Sequence, residues 1–376
     1  MNILKKLSFV LAGSFILAGS VEAQDARFSQ YYASPMRVNP AIVGAFEGNW
    51  RVSGNYRSQF GTILDKPYTT FSANGAIKMP VSGKDYFAVG LSATTDMAGA
   101  TNYQQTDVSI NAAYMKKLSK SRRRYGRNKM ESYLSAGGQI GFGQRGINWQ
   151  NLSYSTQYVG EDNSYNTGIY SGESANVRNN KIYPDMGVGL LWSASFGKRR
   201  NVYVGGSAYH LNRPDISLFN EAPRDTAGNV IGTPVERLYT RWVGHAGGEI
   251  LLGRNTSSLS LVPGLVVMAQ GPSLEINFGT SIRYQGYKFD DFAFRAGVWT
   301  RFSNRLNATV AADAAKLGSE SVIILIGLDY KGLQFGLSYD ATVSSLNSAT
   351  STNAMEMSAI YTFDGDEKRQ QGCPTF

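Results

Sequence analysis

LYTRWVGHAGGEILL, residues 238–252, alternates along its whole length. Leu238, Thr240, Trp242, Gly244, Ala246, Gly248, Ile250 and Leu252 fall on one face of an extended chain, and Tyr239, Arg241, Val243, His245, Gly247, Glu249 and Leu251 on the other. Side chains on a strand alternate with period two, so one face here is largely apolar and the other carries Arg, His and Glu. An exported chain with polar residues on one face and apolar residues on the other fits a strand that shows one face to lipid and the other to a lumen. The same split recurs in Trp50 to Arg57, where Trp50, Val52, Gly54 and Tyr56 oppose Arg51, Ser53, Asn55 and Arg57. It recurs again at Leu274 to Tyr284, with Glu275, Asn277, Ser281 and Arg283 on the polar side.

Working outward from these stretches gives strands at 49–57, 68–78, 84–95, 104–117, 131–143, 182–195, 202–211, 238–252, 258–269, 274–287, 292–302, 321–330, 333–343 and 354–363. The fold class is therefore all-β: an antiparallel transmembrane β-barrel of about 14 strands, the even count that a bacterial single-chain barrel requires. Residues 304–315 alternate weakly and read as loop. A barrel entered from the periplasm puts every second connection outside. The outer set, 58–67, 96–103, 144–181, 212–237, 270–273, 303–320 and 344–353, then contains the three longest connections, as outer loops should.

Composition agrees. The 376 residues carry 41 Gly, 22 Tyr and 18 Phe, only 17% charged residues, and a net charge of +9. One cysteine, Cys373, excludes an internal disulfide and a thiolate metal cluster, and two histidines are too few for a histidine-rich metal site. At the start, Lys5 and Lys6 precede an apolar run from Leu7 to Ala18 and a small-residue site at Val21, Glu22 and Ala23. Residues 1–23 read as a secretory signal peptide, since the run is well short of the ~20 residues of a spanning helix. The mature chain then starts at Gln24, with residues 24–48 as a periplasmic N-terminal segment, the barrel at 49–363 and a periplasmic tail at 364–376. Both termini are expected in the periplasm.

The positive charge concentrates on the inner turns, at Arg122, Arg123, Arg124 and Arg127 in one and Lys198, Arg199 and Arg200 in another. Such a rim suits either anionic lipid headgroups or an acidic periplasmic partner, and export excludes nucleic acid. Catalytic signatures are missing: Gly141, Gly143 and Gly146 form a GxGxxG string with no helix after it, and neither a GxSxG elbow nor an HExxH pair occurs. No enzyme activity and no cofactor are expected. His210 and His245 fall in different strands, and His245 faces the lumen with Glu249, where a hydrogen-bonded interior role is expected. The lumen face mixes Arg51, Arg57, Arg241, Arg283, Arg295 and Arg301 with Glu249, Glu275, Asp340 and Glu356. That mixture points to a self-neutralising network that rigidifies or fills the barrel.

Several stretches resemble the PorP/SprF family of outer-membrane proteins of the type IX secretion system. They are the mature start, with Gln24, Asp25, Phe28, Ser29, Gln30, Tyr31, Asn39, Pro40, Ala41 and Gly44, and the first-strand ending Tyr56, Arg57, Gln59 and Phe60. A central pair of strands carries Pro184, Asp185, Gly187, Gly189, Gly205, Ser207, His210, Leu211 and Pro214. The late strands carry Gly336, Ser338, Tyr339, Asp340 and Glu356, and the tail ends Cys373, Pro374, Thr375, Phe376. The resemblance implies a barrel without catalytic residues that serves secretion and gliding. Its implied partners are outer-membrane lipids, periplasmic components of the machinery and a secreted adhesin-like surface protein. It also implies that residues 24–48 pack at the periplasmic mouth. A passive channel or small-molecule transporter of the same fold is the alternative.

Overall fold

In the computed structural model the described residues are 25–61, 64, 66–81, 84–99, 103–119, 130–147, 155–159, 164–166, 168–169, 179–197, 199–218, 235–253, 257–286, 292–305, 316–343 and 353–363. Sixteen strands occur among them: β1 (Trp50–Gln59), β2 (Tyr68–Pro80), β3 (Tyr86–Ala98), β4 (Tyr103–Lys117), β5 (Glu131–Gly146), β6 (Tyr158–Val159), β7 (Ser164–Tyr165), β8 (Asn180–Ser195), β9 (Arg200–Tyr209), β10 (Arg241–Leu251), β11 (Leu259–Gln270), β12 (Ser273–Gln285), β13 (Phe292–Arg305), β14 (Lys316–Tyr330), β15 (Leu333–Thr342) and β16 (Ala354–Phe363). Fourteen of them close an antiparallel barrel, each beside its neighbour in the chain, with β1 pairing β16 from Trp50↔Phe363 to Gln59↔Ala354. The short pair β6–β7 lies apart, inside the connection 144–181.

The alternation read from the sequence is the alternation of the wall. On β8, Ile182, Met186, Val188 and Leu190 point outward with 66, 48, 50 and 58% of their surface exposed, an apolar band for lipid. On β10, Arg241, Val243, His245, Glu249 and Leu251 are buried toward the interior while Trp242 and Ile250 are exposed. Short connections follow turn chemistry: Lys331 and Gly332 both take positive φ, 45° and 82°, as a two-residue type I′ hairpin between β14 and β15 requires. The stretch 303–320 is not all loop, because β13 continues to Arg305 and β14 begins at Lys316. A register shift between Arg301 and Phe302 marks where the alternation weakens. Residues 306–315 lie outside the described residues.

The barrel has a near end, where β1 begins beside Phe363, and a far end, where β1 finishes beside Ala354. The N-terminal segment does not pack at the near mouth, as expected for residues 24–48. Instead residues 25–46 run through the interior, from Asp25 at the far end to Phe46 near Lys78 at the near end. Asp25 and Phe363 therefore lie at opposite ends, so the expectation that both termini share one side fails for Asp25. The physical reason is the segment's composition. Its prolines and short helical turns at Tyr31–Ala33, Pro35–Val38 and Pro40–Ile42 cannot join a sheet edge, but they fill a lumen with side chains on every side.

Candidate functional site

The lumen with its occupant is the site that the fold builds. Residues 25–46 touch all fourteen barrel strands. Wall side chains recognise the main chain of the segment as much as its side chains. Arg51 donates to the carbonyl of Tyr32 at 3.2 Å, and Ser53 to that of Ala33 at 2.7 Å. Lys78 of β2 donates to the Phe46 carbonyl at 2.5 Å, and Ser135 of β5 to Ala41 at 2.8 Å. On β9, Ser207 donates to Val38 and Tyr209 to Met36, both at 2.7 Å, and Arg241 of β10 donates to Arg37 at 3.1 Å. These bonds answer carbonyls that a short, sheetless segment would otherwise bury unpaired.

Toward the far end two polar clusters form around the segment. In the first, Glu356 of β16 accepts from the backbone N–H groups of Ser29 and Gln30, at 2.6 and 2.9 Å, and also pairs with Arg57 of β1. Ser29 Oγ donates to Asp340 of β15 at 2.6 Å, and Asp340 accepts from Arg57 at 2.8 Å and Arg301 of β13 at 3.2 Å. Gln30 Nε2 donates to Ser338 Oγ at 3.1 Å, while its carbonyl oxygen accepts from Ser358 Oγ at 2.6 Å. Arg27 reaches Glu275 of β12 at 2.6 Å and Glu320 of β14 at 3.4 Å. Buried charges require such pairing, since each alone would forfeit its hydration.

The second cluster centres on Asp25, whose Oδ2 lies 2.7 Å from Arg241 and 2.8 Å from His210 Nε2. The other ring nitrogen of His210 is 2.7 Å from Asp185 of β8, and Asp185 accepts from Gln139 of β5 at 3.1 Å. Burial alone would raise the Asp25 carboxyl, but His210 and Arg241 hold it well below the usual carboxylate range. His210 sits one residue beyond β9, and although burial opposes its charge, Asp25 and Asp185 raise its pKa to about 9. Arg37 lies 3.9 Å from Asp107 of β4, and Gln270 of β11 accepts the backbone N–H of Asp25 at 3.2 Å.

Toward the near end the filling is apolar. Met36, Val43 and Phe46 pack on Ala76, Ala88 and Ala113 of β2, β3 and β4. Val38, Ala41, Ile42 and Ala45 pack among Tyr86, Met115, Tyr133, Leu191, Tyr203, Tyr209, Val243 and Val266. Tyr31 meets Trp299 of β13 edge to face at 5.6 Å. Two wall glycines make the approach possible. A Cβ at Gly137 would lie 2.7 Å from the Ala41 backbone, and one at Gly189 would lie 2.0 Å from Asn39 Oδ1. Asn39 itself caps the turn at Pro40–Ile42 through Ala41 N–H at 2.8 Å, and its amide nitrogen donates to the Leu190 carbonyl at 2.9 Å and to His245 Nε2 at 3.0 Å.

The residues expected from sequence thus divide. Phe28, Ser29, Gln30, Asn39, Pro40, Arg57, Asp185, Ser338 and Asp340 are all buried in the filled lumen, whereas Tyr56 and Tyr339 point outward, 43 and 41% exposed, and Pro184 is exposed on the outer face. The mixed-charge lumen network is present, and His245 has the interior hydrogen bond expected of it. Arg199 donates to the carbonyls of Ser257 and, at 3.3 Å, Ser258, and Arg200 to that of Gly253 at 3.1 Å, so these two tie adjacent near-end turns together. Arg122, Arg123, Arg124, Arg127, Lys198, Cys373, Pro374 and Phe376 lie outside the described residues. Sequence reasoning named Ser53 and Ser207 without their role as carbonyl donors, and missed Lys78, Ser135 and Tyr209. The available signal was glycine at inward strand positions such as Gly137 and Gly189, which marks close approach of another backbone.

Among solved structures, the CymD monoaromatic hydrocarbon channel is 11% identical, with a TM-score of 0.45 over 89% of this chain and 94% of that one. A TodX monoaromatic hydrocarbon channel mutant is 10% identical, at 0.44 over 87 and 93%. CdiB from Acinetobacter baumannii is 8% identical, at 0.42 over 84 and 60%. Scores this low carry no inference about what the chain does. No curated protein matches it. A family model described as type IX secretion system membrane protein PorP/SprF matches residues 20–361, and the chain therefore belongs to the PorP/SprF family of type IX secretion system membrane proteins.

Proposed function

We propose that this barrel is a non-enzymatic outer-membrane component of the type IX secretion and gliding machinery that acts by binding at its two faces, not by conducting. The near end faces the periplasm and contacts periplasmic components through the basic turns at 118–130 and 196–201. The far end holds a secreted adhesin-like protein at the cell surface through the connections 144–181 and 212–237. The observation that carries this reading is the occupant of the lumen: a segment bonded or packed against all fourteen strands leaves the two rims and their loops as the working surfaces. A passive channel would need the lumen that residues 25–46 occupy. Exposed loops on a rigid scaffold are also where binding groups concentrate.

Photo-crosslinking from positions within 144–181 and 212–237 in intact cells tests the reading. A large secreted surface protein is the expected adduct, and adducts to lipid alone would refute it. Neutralising Arg122, Arg123 and Arg124 together is expected to weaken co-purification of the periplasmic partner while the barrel still assembles. An unchanged pull-down would assign those charges to lipid headgroups.

A further inference from the structure

We infer that the far mouth of the barrel is a binding cup for a primary ammonium group on an alkyl stem, and that the lysine side chain of a docked polypeptide is its ligand. The choice of lysine rests on the reading that the far end holds a secreted protein. The cup itself stands on its own geometry and charge.

The cup lies where the leading end of the segment meets β1, β2 and β3. Arg57, Thr70 and Asp96 pair in one row across the three strands, and Gln59 pairs with Tyr68 in the next row out. These are inward positions, since the neighbours Phe71 and Met97 face outward. Together with Asp25, Ala26 and Arg27 they enclose about 190 Å³. At ~30 Å³ of liquid per water that is about six waters, room enough for a butylammonium stem. Tyr68 is 41% exposed and the Arg27 side chain 35%, so the cup opens to the far side. Phe60 holds Tyr68 edge to face at 5.1 Å, and this aromatic rim offers apolar surface to the methylenes of a stem.

The two arginines of the cup are already answered. Arg27 has Glu275 at 2.6 Å and Glu320 at 3.4 Å, Arg57 has Asp340 at 2.8 Å and Glu356, and Arg301 shares Glu275 and Asp340. Three guanidinium groups thus face four carboxylates. Arg241 and His210 do no more than balance Asp25 and Asp185, and Arg37 lies against Asp107. Asp96 accepts from Thr70 Oγ1 at 2.5 Å and makes no ion pair among the described residues. The cup is therefore short of positive charge. It is also short of donors: Asp25 is buried, and its Oδ1 has no hydrogen-bond partner. A lysine ammonium brings one charge, three donors and no acceptor, which is what spare carboxylate oxygens require. Asp25 and Asp96 stand on different elements, an arrangement that suits a compact point charge better than the planar fork of a guanidinium. Among the described residues no group of three or more His, Cys, Asp or Glu side chains is placed to hold a metal ion.

Saturation-transfer NMR of the full mature chain in detergent tests the cup, with Nα-acetyl-lysine amide as the probe. Saturable binding is expected, with displacement by n-butylammonium. Acetylating the probe at Nε, or Asp96→Asn in the protein, should each weaken binding at least about ten-fold, while Asp96→Glu retains it. The acetylated probe needs no variant, so that arm stands whatever the substitution does to folding. Lack of saturable binding, binding that ignores probe acetylation, or displacement by calcium but not by butylammonium would each overturn the inference. Glycinamide, an α-ammonium without the stem, should bind at least about ten-fold more weakly than the lysine probe. Equal binding would assign the cup to a chain terminus and overturn lysine as the ligand. Surface-loop crosslinks to a secreted protein without ammonium binding would sink the cup and leave the far-end reading in place. Ammonium binding without those crosslinks would sink the far-end reading, and lysine as the ligand with it.

Discussion

Glu356→Gln is the sharpest perturbation of the filled lumen, because one carboxylate holds both the segment and the wall. Glu356 is 1% exposed, and its two oxygens accept from Ser29 N–H, Gln30 N–H and Arg57. Glutamine keeps the shape but turns one acceptor into a donor, so one of the two backbone N–H groups faces another N–H. Leaving a buried donor unpaired costs about 1–3 kcal/mol, while Arg57 retains Asp340 at 2.8 Å and is not stranded. A loss of about 2 kcal/mol is about thirty-fold in the equilibrium between docked and released segment. Amide hydrogen exchange of the purified barrel in detergent reads this directly. Protection of peptides covering residues 25–33 should fall about thirty-fold, while β4 and β5 keep theirs, because local opening is independent of the global fold. Unchanged exchange at Ser29 and Gln30, or an equal loss throughout the barrel, would refute the assignment of Glu356 as an anchor of the segment.

Gly189→Ala should release the middle of the segment, since its Cβ would fall 2.0 Å from Asn39 Oδ1, whereas Gly75→Ala, with nothing within 4 Å, should leave exchange of residues 36–42 unchanged. Equal effects of the two would contradict close approach as the reason for Gly189. The Asp25–His210 cluster gives a pH dependence. His210 is raised from its ordinary 6.5 to about 9, so its contribution is complete below 6.5 and lost as the pH climbs through about 9. Asp25 is depressed, so its contribution holds above its ordinary 3.8 and is lost only on acidification below that. Tryptic cutting after Arg27 should accelerate as the pH passes about 9, and His210→Gln should abolish that step; a flat profile in the parent protein would remove His210 from the clamp.

The wall was legible in the sequence and its contents were not. Trp50–Arg57, Leu238–Leu252 and Leu274–Tyr284 show their faces because lipid demands apolar side chains at every second position, a signal that repeats without reference to anything distant. The stretch 303–320 misled because β13 runs on to Arg305 and β14 starts at Lys316, while a register shift at Arg301/Phe302 breaks the alternation that would have marked them. Residues 25–46 have no period at all. Different residues answer different strands, as Ser29 answers Asp340, 311 positions away, and Asn39 answers Leu190, 151 positions away, so much of their meaning lies in distant partners. The charges Arg57, Asp340 and Glu356 were correctly placed on the lumen face. That they close on Ser29 and Gln30 was not readable, because alternation reports a face and not what fills the space before it.

Planar-bilayer recording of the purified mature protein tests the filled lumen most directly. With residues 25–46 against all fourteen strands, the expected result is no steady current above leak. A large, steady ohmic conductance from single insertions would contradict it.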